Sequence, residues 1–468
     1  MLLSERRGMA ARKNKLNFDG IYNIISARGG RVHFIGVGGV SMYSLARLAM
    51  RLGASVSGSD RVVSKRTKEL SLRGAKIFIG HDGANVNGAS LVVYTHAISK
   101  DNPELIAAKN SGIAMVSRAE LLGALMLSYN TRIGVSGTHG KSTTTSMLDA
   151  IFCAALSQPT TLSGAELQNG EPIRVGRNNH LIYEACEYRD SFLSFSPSVA
   201  IALNMELDHT DYFPDIEAMK ASYIKALNKA SDFALVNYDD ENLLSILPKL
   251  KCKTITFGQG ERSDWRYLIT GFLESGMEIS LYRFGSLECK IRLNIHGVHN
   301  AENAAAAAIA SIEFGIPKET VALALGGFIG VPRRLELVGY RHDRAVYYDY
   351  AHHPTEIECG INTLRLISGG EITVVFKPHT YTRTASLWAD FSAALSLADH
   401  VILTDIYPAR EEPIAGVSSE RLAADIGERA IYSRDADVSE IVDLQTSGII
   451  VVMGAGDTEK IKNQLISK

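Results

Sequence analysis

The stretch that most constrains this chain is residues 133–150, IGVSGTHGKSTTTSMLDA. Residues 133–135 form a short β-branched run that predicts a buried strand. A loop with Gly137 and Gly140 follows, then Lys141 and Ser142, then a helical pattern through Met147, Leu148 and Ala150. Strand, glycine loop, lysine, hydroxyl and helix in this order make a phosphate cradle. Glycine lets the backbone curl so that successive N–H groups face one anion. The helix N-terminus adds a partial positive charge. On this reading Gly137, Thr138, His139, Gly140, Lys141, Ser142 and Thr143 hold a nucleoside triphosphate, with Lys141 at the β/γ-phosphates and Ser142 on Mg²⁺. Val135 stands where the general pattern places its leading glycine, which leaves a shortened form, Gly-Thr-x-Gly-Lys-Ser-Thr.

A length of 468 residues predicts two to four domains. Hydrophobic residues make up 46% and charged residues 21%, the balance of a globular chain with ample core. The formal net charge of -2 gives no global support for nucleic-acid or membrane-surface binding, so any phosphate affinity is local. Cys153, Cys186, Cys252, Cys289 and Cys359 are dispersed and form no Cys-x-x-Cys pair. A reduced, cytoplasmic chain without a cysteine zinc site is expected. No apolar run of about 18 residues is present, so no membrane span is expected. Residues 1–30 carry Arg6, Arg7, Arg12, Lys13 and Lys15 without an apolar signal core. They read as a disordered basic tail, with Met9 as an alternative start.

Residues 31–127 read as a Rossmann-like unit. A strand at 32–35 leads into Gly36, Gly38 and Gly39, then a helix over 42–52 and a second strand at 54–56 that ends near Asp60. This is a βαβ unit with an acid closing its second strand. Ser41 replaces the third glycine of the dinucleotide fingerprint, so a pyrophosphate-like ligand is expected without its identity. Strands follow at 76–79 and 91–94, the latter delivering Thr95 at its carboxyl end. Residues 128–331 carry the cradle. Strands at 181–185 and 199–203 offer Glu184 and Glu187, then Asn204, Glu206, Asp208 and His209. A carboxylate and an imidazole at neighbouring strand ends beside the cradle serine can complete a Mg²⁺ shell, which points to Glu184 and His209. Residues 253–291 read as a β-meander beside the main sheet. The alanine run from Ala304 predicts a helix with His299, Asn300 and Asn303 at its start, as N-caps or, for Asn303, as a base contact. Residues 332–468 open on Arg333 and Arg334, with strands at 346–350, 372–376, 400–404 and 449–453. Strands alternate with helices throughout, so the fold class is α/β: three domains with mostly parallel sheets.

Nine motifs occur in order over residues 32–457: HFIGVGGVSM, SGTHGKSTTT, EACEYRDSFL, LNMELDHTDYF, HNAENAAAA, RRLE, DYAHHPTE, PHTYTRT and MGAGD. Together they resemble the Mur ligase family. The resemblance implies an ATP- and Mg²⁺-dependent ligase that adds L-alanine to the lactyl carboxylate of UDP-N-acetylmuramate through an acyl phosphate, in peptidoglycan precursor synthesis. It implies a cytoplasmic monomer or homodimer that binds no nucleic acid. Gly38, Gly39, Asp60, His81 and Thr95 would contact the UDP-sugar. Lys141 and Ser142 would hold ATP phosphates and Mg²⁺, and Glu184 and His209 a second Mg²⁺. Asn300 and Asn303 would lie at the adenine, Arg334 at the γ-phosphate and Asp349 at the ribose. Tyr350, His352 and Arg383 would face the amino acid and the sugar acid. Many members have arginine at Thr380, glutamine at Lys377, a basic residue at Val298 and aspartate at Cys186. Thr380 leaves one carboxylate or phosphate contact open, and whether the nearby Lys377 takes it over is not fixed by the sequence. Sister ligases carry a carbamylated lysine where Tyr223 and Ile224 stand, which favours the alanine-adding branch. The alternatives are a murein tripeptide ligase, an NAD-linked oxidoreductase and a non-catalytic UDP-sugar sensor.

Overall fold

The computed structural model describes residues 16–27, 30–409, 411–444 and 448–466. The basic residues from Arg6 to Lys15, and Met9, lie outside the described residues. Three sheets follow one another along the chain, each sandwiched by helices, so the α/β class holds for all three.

The first sheet has five parallel strands in the order Lys76–Ile79, Ser55–Asp60, Arg31–Ile35, Leu91–Tyr94, Ala114–Ser117. Val32, Phe34 and Ile35 are fully buried, as expected of a central strand covered on both faces. The winding direction reverses between Arg31–Ile35 and Leu91–Tyr94. Ligands bind such sheets in the crevice at the carboxyl ends of those two strands. The second strand runs to Asp60 rather than stopping at 56.

Part of the stretch read as a tail is structured. Residues Phe18–Ser26 form a helix capped by the Asn17 side chain, which accepts from Gly20 N at 2.9 Å. Ile21 and Ile25 are fully buried in a core shared by the first unit and one face of the second. Gly123 explains the close approach. A Cβ there would meet Ser194 O at 2.3 Å and the Phe18 ring at 2.9 Å.

The second sheet has ten strands. Its parallel heart runs Thr254–Gly258, Phe233–Asn237, Val199–Ala202, Thr131–Ser136, His180–Glu184, Thr160–Leu162. The meander of Trp265–Leu273, Gly276–Arg283 and Ser286–Leu293 is not beside this sheet but continues it, joined through Thr254–Gly258. The cradle strand Thr131–Ser136 is central and feeds the helix Lys141–Ala154. The alanine-rich helix Val298–Glu313 packs in the same core. Its alanines 304 to 308 are all fully buried, so small side chains let this helix approach on several sides. It begins with Gly297 as N-cap. Asn300 and Asn303 therefore sit inside the helix and do not cap it.

The third sheet runs Glu336–Arg341, Arg344–Asp349, Ile449–Gly454, Ile372–Lys377, His400–Leu403, Ala430–Tyr432, antiparallel only at its first pair. The helix Pro354–Ser368 starts beside the cradle of the second unit. At its start the Glu356 carboxylate accepts from the backbone N–H of His353 at 3.4 Å.

Candidate active site

The cradle takes the conformation its glycines permit. Gly140 is the N-cap of the helix Lys141–Ala154, with φ of 81° in the left-handed region. A Cβ there would lie 2.3 Å from Asn303 Oδ1, so only glycine fits. Lys141 curls back over the loop. Its Nζ bonds to the Gly137 carbonyl, donates to Thr138 O at 3.1 Å, and lies 3.5 Å from both carboxylate oxygens of Glu187. Burial pushes its pKa down, but Glu187 and the other acids nearby outweigh that, and the ammonium stays charged.

Two cavities meet at this loop. One, between the second and third units, is lined by His139, Gly140, Thr143, Asn300, Asn303, Arg334 and Asp349. The other, between the first and second units, is lined by Ser41, Arg118, Lys141, Ser163, Glu184 and Cys186. The first contains most of the residues expected to hold ATP. Asn303 is almost fully buried, and its Oδ1 accepts from Thr144 Oγ1 at 3.2 Å. Asn300 Nδ2 donates to His296 O at 2.7 Å. Arg334 Nη1 lies 3.3 Å from Glu356 Oε1, and its guanidinium stacks over the Tyr350 ring at 5.6 Å. Arg333 covers the same ring at 4.9 Å, so Tyr350 serves as a platform for the two arginines. Burial raises the Asp349 carboxyl to about 7, and Arg334 opposes the rise.

Glu184 faces the second cavity. Ser163 Oγ donates to its Oε1 at 3.1 Å and Gly164 N at 2.5 Å, leaving Oε2 for a ligand. His209 does not sit with Glu184 in one ligand cluster. The groups whose donor atoms lie within 4.8 Å of one another around His209 are Cys186 and Glu187. His209 has φ of 55° and lies over the Tyr188 ring at 4.5 Å, a strained backbone held in place by its surroundings. Ser142 is buried in the first turn beside Lys141.

On the third unit, the Tyr350 carbonyl can only accept, so His352 donates to it from Nδ1 at 2.9 Å. Burial lowers the His352 pKa to about 4. The ring is therefore neutral, with Nε2 left as an acceptor. Arg383 reaches back to the second unit and donates from Nη2 to both oxygens of Asp208, at 2.9 and 3.2 Å. Its Nε is buried with no hydrogen-bond partner among the described residues.

In the first unit the expected UDP-sugar residues line the strand ends, but several are engaged internally. Gly38 N donates to Asp60 Oδ2 at 2.9 Å, and Thr95 Oγ1 accepts from Ala97 N at 2.9 Å. His81 Nδ1 lies 2.9 Å from Glu104, a fully buried carboxylate that also accepts from Ser59 and Asn85. Gly39 caps the helix Val40–Arg51 without a side-chain hydrogen bond, so the first N–H groups of that helix stay available.

The structure gives Lys377 other partners than a substrate anion. Lys377 is buried and paired with Asp435 and, at 3.2 Å, Asp457, because a buried ammonium needs local counter-charge. Thr380 instead caps the short helix that carries Arg383, accepting from Arg383 N at 3.4 Å. Tyr223, at the place of the sister ligases' lysine, is fully buried against Phe192. Glu356 and Arg118 had no assigned role in the sequence, and Glu187 and Glu206 stood there only as strand-end acids. Glu206 and Glu356 flank His139, at 3.0 Å from Nε2 and 3.3 Å from Nδ1. Burial lowers the His139 pKa, yet these two hydrogen bonds win and raise it to about 9.

Comparison with known proteins finds matches in all three units. Residues 31–130 match the Mur ligase family catalytic domain, residues 135–311 the Mur ligase middle domain, and residues 333–456 the Mur ligase glutamate ligase domain. The UDP-N-acetylmuramate–L-alanine ligase of Caldicellulosiruptor saccharolyticus is 42% identical over 447 residues, covering 93% of this chain and 98% of its own length. That of Acetivibrio thermocellus is 41% identical over 441 residues, covering 92% and 94%. Two solved structures share the fold. The UDP-N-acetylmuramate–alanine ligase of Thermotoga maritima has a TM-score of 0.79 at 24% identity, covering 93% of this chain and 98% of its own. The murein peptide ligase of Psychrobacter arcticus has a TM-score of 0.70 at 23% identity, with the same coverage.

Proposed function

The chain belongs to the Mur ligase family, and from that premise we propose that it joins L-alanine to the lactyl carboxylate of UDP-N-acetylmuramate, with ATP cleaved to ADP and phosphate, in peptidoglycan precursor synthesis. The observation that carries the reading is the meeting of two cavities at one phosphate loop. A phosphoryl donor held on the side of Asn303 and Asp349 presents its terminal phosphate towards Lys141. An acid held on the side of Ser41, Arg118 and Glu184 approaches from the other face.

The lactyl carboxylate attacks the γ-phosphorus, and ADP departs. Both reactants are anions, so the barrier is largely electrostatic. Lys141 and Arg334 offset that repulsion with fixed positive charge. Mg²⁺, when bound, supplies further neutralisation. Ser142 would hold one ion and Glu184, with Oε2 left open, a second, oxygen donors that suit a hard cation; His209 lies with Cys186 and Glu187 rather than with Glu184. The acyl phosphate that results is shielded from water by the third unit, which is tied to the second through Arg383–Asp208 and Thr355–Glu206. The amine of L-alanine then displaces phosphate. Neutral His352 orients that amine through Nε2, and the unpartnered Arg383 Nε is a donor for its carboxylate. Asp60, His81 and Thr95 hold the UDP portion, with the open N-terminus of the helix Val40–Arg51 at the pyrophosphate.

Phosphate release with UDP-N-acetylmuramate and ATP, measured across single amino acids and the murein tripeptide, tests the proposal. Release that requires L-alanine is expected. Release that requires the tripeptide, or nucleotide binding without any amino-acid-dependent release, overturns it.

A further inference from the structure

Three metal-ligating side chains converge where the cradle meets the third unit, away from the Mg²⁺ donors assigned above. His139 comes from the phosphate loop, Glu206 from the segment after Val199–Ala202, and His353 from the start of the helix Pro354–Ser368. One ligand atom from each lies within 4.8 Å of the other two. His139 Nε2 is 3.0 Å and His353 Nδ1 3.4 Å from the same oxygen, Glu206 Oε2. A tetrahedral ion with nitrogen and oxygen ligands near 2.1 Å has ligand–ligand edges of about 3.3 Å. The two separations to Glu206 Oε2 lie within about 0.3 Å of that edge.

Two further features set this cluster apart from an ordinary ion pair. His353 is buried, 6% exposed, yet neither of its ring nitrogens makes a hydrogen bond among the described residues. Such a histidine is costly unless something takes its lone pair. His139 has its other nitrogen, Nδ1, 3.3 Å from Glu356 Oε1. A carboxylate behind a ligating imidazole fixes the ring and raises its basicity, the usual outer partner of a metal-bound histidine. Thr355 Oγ1 donates to Glu206 at 2.8 Å and holds the carboxylate in the same way. The cluster opens on the nucleotide cavity, which His139, Glu206 and Thr355 help to line.

We propose that His139, Glu206 and His353 form a site for a first-row divalent transition ion of the zinc class, which bridges the phosphate loop and the third unit and leaves its fourth position open to the nucleotide cavity. Two imidazoles and one carboxylate match zinc and cobalt rather than magnesium, which prefers six oxygen ligands. Because the ligands come from both sides of the joint, the bound ion ties the third unit down over the cradle.

The test uses the full chain, stripped by chelator and titrated with Co²⁺. The expected result is one equivalent giving the strong visible bands of tetrahedral Co²⁺. Both His353→Gln and Glu206→Gln should weaken that signal's affinity by at least about 100-fold, since even the outer partners of such ligands are worth 10–100-fold. His209→Ala should leave it intact. Weak octahedral bands alone in the unaltered chain overturn the proposal. So does a tetrahedral spectrum that survives in both glutamine variants. Loss of the bands in His209→Ala, with a sulfur charge-transfer band in the unaltered chain, places the ion at Cys186, Glu187 and His209 instead and likewise overturns it.

Discussion

The charge on His139 is a measurable part of what holds the third unit against the cradle. In the metal-free protein its pKa is raised from 6.5 to about 9 by hydrogen bonds to Glu206 and Glu356, despite burial that acts the other way. A raised pKa contributes stability that is present in full below pH 6.5 and lost as the pH rises through 9. The shift of about 2.5 units corresponds to about 3 kcal/mol. The side chain is only 15% exposed, so solvent screening removes little of that. Glu356 belongs to the third unit, and His139 and Glu206 to the second. Glu356→Gln therefore removes the cross-joint half of the interaction and should lower the His139 pKa by about one unit, leaving roughly 2 kcal/mol of pH-dependent stability. Glutamine keeps a carbonyl oxygen for the His352 N–H, which the carboxylate accepts at 3.0 Å, so the helix cap survives. Arg334 also loses its counter-charge, at a cost of about 1–2 kcal/mol that does not vary with pH. Asp349, raised to about 7 in part by Glu356, also contributes to the slope below about pH 8, so the His139 pKa itself is read by NMR. The assay is an imidazole NMR titration with chelator present, the His139 signal assigned by its absence in His139→Gln, beside urea midpoints at pH 6, 8 and 10. A His139 pKa near 6.5 in the unaltered chain, or the same pKa and slope in Glu356→Gln, refutes the reasoning.

Lys141→Ala should lower turnover by roughly two to four powers of ten, the scale of losing one preorganised charge donor, and near-normal phosphate release would remove the cradle from the reaction. Ser142→Ala should raise the Mg²⁺ concentration needed for half-maximal rate, and an unchanged Mg²⁺ dependence would deny it a ligand role. Gly140→Ala forces a Cβ to within 2.3 Å of Asn303 Oδ1 at a left-handed φ, so ATP affinity should fall at least about tenfold with a stability loss of about 1–3 kcal/mol. Calorimetric ATP binding and a melting curve read both, and an unchanged dissociation constant would count against close contact between Asn303 and the loop.

What the sequence made legible, and what it hid, follows from the range over which each feature is encoded. The cradle is local: its strand, glycines, lysine and helix are contiguous, and Gly140 has a conformation that only its own residue type explains. The strands at 76–79 and 91–94 were equally plain because their apolar runs are short and bounded by turn residues. The acids that organise the site were not legible in the same way. The chain has 51 aspartates and glutamates, and nothing adjacent to Glu356 or Glu187 marks them. Each acquires meaning only when distant segments close on it: Glu356 when Arg334 and His139 arrive from two directions, Glu187 when Lys141 folds towards it. Lys377 shows the same in reverse. Its nearness to Thr380 in sequence left its role open, and its ammonium is committed to Asp435 and Asp457, far along the chain. The helix Phe18–Ser26 shows the point for packing. Its charge-rich flank read as tail, yet Ile21 and Ile25 find a surface that exists only once Gly123 has let two backbones close together. Local pattern thus identifies the groups we assign to phosphate. The groups that decide how the three units close over it are written as pairs, and one chain read in order presents each partner alone.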